Sequence, residues 1–274
     1  MSAVGILVLS PDGLFIRMID TDLWTLMFLR GLFMGLCMLV INGFVNHKNP
    51  IQQFKQIDKH AWAIIGLMVV NSFFFVASIQ TTSVAHTLII VGSTPIVAAI
   101  LGLIFLKEKL PLYTWVTIFV VVIGLVFVVF DDQKSSLQGD LYALIACVLW
   151  SFNFIFARLT KVDNMIAALT ISGFAIAVLS FPLTHLETVS MEQLYMSATL
   201  GLLVGIAFSL LTLAPRYMPT AQVALFMPLE TVFGTLLVWW ILHEYPGIIS
   251  LSAGGIIIAA IMMNSYFQIR TTRN

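Results

Sequence analysis

Two carboxylates stand where carboxylates are expensive. Asp12 and Glu230 are each flanked by long apolar stretches, and each follows a proline, as Pro11-Asp12 and as Pro228-Leu229-Glu230. In a lipid environment an acid must be paired, hydrated or neutralised, so its position carries information even in one sequence. One reading is that both acids line a central cavity and bind a proton or the cationic group of a small-molecule substrate. A carboxylate in an apolar setting can exchange a proton near neutral pH. The other reading is a static ion pair with Arg17 or Arg30. The prolines bear on the first reading. A proline inside a helix frees a backbone carbonyl and kinks the axis, and helices broken at mid-membrane can present groups to a solute.

Further residues extend the set. Arg30 has the planar fork that receives a carboxylate, or it fixes helix packing by pairing with Asp12, Asp20 or Asp22. His86 can titrate near physiological pH, or it makes an ordinary polar contact. Asn71, Ser72, Gln80, Thr94, Trp150, Asn153 and Gln222 are candidate cavity walls. Each could equally be an interhelical hydrogen bond worth about 0.6 kcal/mol. Arg17 and Arg158 read as interfacial anchors. Other chemistry is missing from the sequence. There is no Walker motif, His-Glu-x-x-His, Gly-x-Ser-x-Gly or metal-spaced Cys/His cluster. Asp12 with His86 is the one conceivable acid–base pair, too little for an enzyme. Cys37 and Cys147 lie inside apolar blocks and read as small core residues. No metal and no cofactor is expected.

The elements that must hold these residues follow from composition. Of 274 residues, 60% are hydrophobic and 9% charged, with 13 acidic and 13 basic. Soluble domains carry about 25% charged residues, so water cannot be the main solvent of this chain. With zero net charge and no basic tract, nothing points to a nucleic-acid partner; the expected partners are the lipid bilayer and a small solute. Apolar runs fall at about 3–19, 24–45, 61–80, 85–106, 112–130, 141–158, 165–186, 194–213, 221–242 and 248–268. A spanning helix needs roughly 17–25 such residues, and strand-like alternation is missing, which excludes a β-barrel. The first run is short. Lacking a charged leader and a cleavage site, it reads as a retained helix, tilted or beginning upstream of Met1. Lysines and arginines at 48, 55, 59, 107, 109, 161, 216, 270 and 273 fall on one side, which places both termini in the cytoplasm.

The chain also resembles itself. A displacement of 136 positions superposes Ala85 on Ala221, His86 on Gln222 and Glu108 on Glu244. A displacement of 141 lays LSPDGLFIR (9–17) over the last nine residues of LWSFNFIFAR (149–158), with Arg17 matching Arg158. Each half, 1–136 and 137–274, holds five runs, and an odd number inverts the second copy in the membrane. Inverted repeats are typical of carriers.

On these features the chain resembles the EamA family of the drug/metabolite transporter superfamily. They are the ten-run layout, the paired repeats, an aromatic-rich first helix ending in Arg, and a Glu after the fourth helix of each half (FLKEKLP and ILHEYPG). The resemblance implies an all-α membrane protein with ten transmembrane helices in two inverted five-helix repeats. It further implies a secondary exporter or exchanger in a bacterial inner membrane, with a cavity lined by the first, third, fourth, sixth, eighth and ninth helices. One departure is that Leu9-Ser10-Pro11-Asp12 stands where the second half has Trp150-Ser151-Phe152-Asn153. The expected activity is alternating-access transport of an amino acid or other amphipathic metabolite, linked to proton movement. The alternatives are uncoupled exchange, or a channel or non-transporting scaffold. Phe73, Phe74, Phe75, Trp150, Phe154 and Phe226 suggest a partly apolar cavity. Gly201-x-x-x-Gly205 leaves both a monomer and a homodimer open.

Overall fold

The computed structural model describes residues 2–45, 57–131, 136–214, 217, 219–243 and 247–273. All regular structure among them is helical. In chain order the α-helices are α1 (Ser2–Leu9), α2 (Asp12–Met18), α3 (Leu23–Val45), α4 (Lys59–Thr81), α5 (Val84–Gly92), α6 (Thr94–Phe105) and α7 (Leu112–Asp131). They continue with α8 (Leu137–Leu159), α9 (Val162–Ser180), α10 (Met191–Leu213), α11 (Thr220–Ala224), α12 (Met227–Leu242) and α13 (Gly247–Arg273). In lipid every backbone polar group must be satisfied within the chain, which helices do locally. Among the described residues, seven segments are long and apolar enough to cross a membrane: α3, α4, α5–α6, α8, α9, α10 and α11–α12. α7 and α13 contribute shorter apolar stretches, Leu112–Val126 and Ser252–Phe267. The first run is divided into an 8-residue and a 7-residue helix.

Three runs are broken, and each break sits at a proline. Pro11 is the N-cap of α2, Pro95 opens α6 and Pro228 opens α12. Proline suits a first helical turn because the N–H it lacks would be unpaired there. Hydroxyls at the first two breaks satisfy nearby carbonyls. Ser10 Oγ donates to Ile6 O at 2.9 Å, Ser93 Oγ donates to Ile90 O at 2.6 Å, and Thr94 Oγ1 donates to Val91 O. Thus these carbonyls are bonded within the protein instead of facing a solute. The α8 run, which corresponds to α1–α2, has no proline and stays continuous.

The halves interlock by exchanging like elements. α3 packs on α9, α7 on α13, and α5 and α6 on α12 and α11 respectively; α4 lies against α8, and α1 against α10. The α3–α9 crossing brings main chain against main chain. A Cβ on Gly173 would lie 2.6 Å from the Gly35 nitrogen, and one on Gly31 would lie 2.8 Å from the Gly173 carbonyl oxygen. Only glycine lets the two backbones approach so closely. Gly201 and Gly205 also pack inside the chain, against Phe33–Met34 and Cys37 of α3. α6 and α12 both terminate at a left-handed residue, Lys107 (φ 53°) and His243 (φ 57°), and these two positions are 136 apart. Trp62 and Trp240 are exposed on the outer surface, whereas Trp150 is buried.

Candidate functional site

Where the α1–α2 break meets α12 lies a small pocket, lined by residues of both halves. The break places Asp12 as the first residue of α2, and Glu230 lies in the first turn of α12. Arg30 comes from α3, next to the Gly31–Gly173 contact. Each of these three side chains is no more than 4% exposed, and all line the pocket.

Arg30 makes a fork-to-fork contact. Its Nε donates to Asp12 Oδ1 at 3.2 Å, its Nη2 donates to Asp12 Oδ2 at 2.7 Å, and its Nη1 donates to Ser72 Oγ at 3.0 Å. Paired geometry of this kind is what makes a buried charge tolerable, because both ions lose water and recover hydrogen bonds. Glu230 differs: its Oε1 has no hydrogen-bond partner among the described residues. The pocket therefore contains a neutralised ion pair and a separate acid.

The remaining wall is built across the halves. With its amide oriented to suit its neighbours, Asn71 of α4 donates to Ala146 O at 2.9 Å and accepts from Trp150 Nε1 at 3.2 Å. Trp150 meets Phe208 edge to face, with centroids 5.1 Å apart, and stacks on Phe154 at 5.8 Å. Met34, Met68, Phe75 and Phe208 complete an apolar and aromatic surface around the charges. Among the aromatic residues singled out in the sequence, Phe75 and Trp150 line the pocket.

Several candidates lie elsewhere. Gln80 donates to Thr21 O at 3.2 Å near the end of α4. Thr94 is bonded at the α5–α6 break and touches Cys147 Sγ at 3.5 Å. Asn153 donates to Leu149 O of its own helix at 3.1 Å, and Gln222 is buried in α11. His86 Nδ1 lies 3.3 Å from Asp140 Oδ1, and Asp140 also accepts from Thr82 at 3.3 Å. This group joins the start of α5 to the start of α8, away from the pocket lining.

A second cross-half cluster was not legible in the sequence. Glu108 Oε2 accepts from Thr220 N at 3.0 Å and from Thr220 Oγ1 at 2.9 Å, capping α11, whose N-terminus favours negative charge. Its Oε1 lies 2.9 Å from Arg158 Nε. Glu108 thus serves α11, in the other half of the chain. Arg158 is likewise an ion-pair partner rather than a simple interfacial anchor. The cavity lining differs too. α3 and α9 contribute Arg30, Met34 and Ile176, while the fourth run is missing from the wall. Met34, Ile176 and Phe208 gave no signal, being apolar residues among many.

These features define a multi-pass helical membrane protein with a polar site enclosed by its halves. The chain belongs to the EamA-like transporter family, whose match covers residues 10–130 and 137–266. An uncharacterized transporter of Methanothermobacter thermautotrophicus is 20% identical over 188 residues, covering 64% of this chain. The match spans 55% of that relative's length. A solved crystal structure shares the fold, with a TM-score of 0.80 at 15% identity over 98% of this chain and 96% of the other.

Proposed function

We propose that the protein is a secondary active transporter that carries a small organic metabolite by alternating access, using Glu230 to couple transport to proton movement. The observation that carries this reading is the buried acid with a free Oε1 on a pocket shared by both halves. A carrier needs a site that can load and unload, and an unpartnered acid offers a protonation state that solute binding can change. The reading includes ten spans in two inverted repeats, 1–136 and 137–274, with both termini cytoplasmic, in a bacterial inner membrane and exporting outward. The exchanged packing of α3 with α9 and of α7 with α13, together with the matched left-handed residues 107 and 243, supports the repeat.

Purified protein in proteoliposomes tests this directly. Metabolites that raise its melting temperature are offered with and without an imposed pH gradient. Uptake should saturate and respond to the gradient, and Glu230→Gln should abolish that response in a folded protein. Normal gradient-driven transport by both Glu230→Gln and Asp12→Asn would overturn the coupling. Flux that neither saturates nor shows trans-stimulation would identify a channel.

A further inference from the structure

Resting on that reading, we infer that the solute is an organic monocation, a protonated amine on an apolar or aromatic chain without a carboxylate, and that its ammonium group is received by Glu230. The charged residues lining the pocket are Asp12, Arg30 and Glu230. Arg30 is the cation among them, and all three of its guanidinium nitrogens are engaged, two by Asp12 and one by Ser72. A substrate carboxylate would find no free positive partner there and would face Glu230. An ammonium would instead supply the hydrogen-bond donor that Glu230 Oε1 lacks. Once Asp12 and Arg30 cancel, the pocket with an ionised Glu230 carries one negative charge, which one cationic headgroup neutralises.

The apolar walls fit the same solute. Trp150 and Phe208 line the same pocket as the acid, and Met34, Met68 and Phe75 add polarisable or apolar surface. Aromatic faces attract ammonium groups, more strongly once both are removed from water. A buried polar group built to take one partner discriminates strongly against analogues that lack it.

Three probes with one phenyl group and different charge decide the matter: phenethylamine, phenylalanine and phenylpropionate. Binding to the purified full chain in lipid nanodiscs at neutral pH is read by calorimetry and by melting-temperature shift. Phenethylamine should bind at least tenfold tighter than either of the others. Glu230→Gln should remove that preference without lowering the melting temperature of the unliganded protein, while Glu230→Asp should retain it. Tighter binding of phenylalanine or phenylpropionate would show that Arg30 leaves Asp12 to take a carboxylate, and would overturn the inference. So would failure of all three to bind folded protein, or an unchanged preference in Glu230→Gln. Flux measured in parallel separates this from the transport reading. Binding of amine without transport sinks the transporter mechanism alone, while gradient-driven transport of another solute without amine binding sinks the cation assignment alone.

Discussion

Positions that correspond between the two halves of the chain carry different chemistry. Asp12 corresponds to Asn153 at a displacement of 141, and Glu230 to Thr94 at a displacement of 136. Asp12 is held by Arg30 on the pocket wall, whereas Asn153 donates to a carbonyl of its own helix. Glu230 opens onto the pocket, whereas Thr94 is occupied with the Val91 carbonyl. The family pattern repeats along the chain and the charge does not. Duplication supplies a frame with two equivalent sets of positions, and a few substitutions in one set are enough to make the site. The ion pair and the lone acid also differ in what they ask of the fold: the pair needs both partners, while the acid needs none.

Four single substitutions and one double variant probe that contrast. Asp12→Asn leaves the buried Arg30 cation without its carboxylate and should cost about 3–5 kcal/mol in reversible unfolding from detergent micelles. Replacing both partners, Asp12→Leu with Arg30→Met, should recover most of the loss. Stability unchanged in the single variant would mean the pair is energetically idle. Gly173→Ala tests the element common to both halves. Its Cβ would sit 2.6 Å from the Gly35 nitrogen, and overpacking of this kind should cost about 1–3 kcal/mol in the same measurement. Glu230→Gln should move stability by no more than about 1 kcal/mol, because no described donor is lost. A loss as large as that of Asp12→Asn would reveal a hidden structural partner. Thr231→Val removes a 2.7 Å bond to Leu88 O that ties α12 to α5. It should cost about 0.6 kcal/mol, checked by the same unfolding curves.

Much of the architecture could be read before any coordinates. Sparse charge and long apolar runs require a lipid-solvated helical bundle, and Pro11, Pro95 and Pro228 mark the three places where a run divides. Composition also isolates Asp12 and Glu230, since few acids lie deep in apolar sequence. The partner of Arg30 could not be chosen from sequence, because Asp12, Asp20 and Asp22 are all within reach of a neighbouring helix. The Glu108–Arg158–Thr220 cluster depends on three segments far apart in sequence. Met34 and Ile176 lie on the two helices that cross at the glycines and Phe208 lies on α10, and nothing in their local sequence marks them as wall residues.

At that crossing, main chain touches main chain. Peptide units are the same whatever side chains surround them, so the joint offers mutation almost nothing to alter except by adding atoms it has no room for. Selection can then repaint the pocket beside it, one side chain at a time, without disturbing the joint. A lineage built this way can change its cargo quickly while its frame hardly changes, even where sequence identity between members has fallen low.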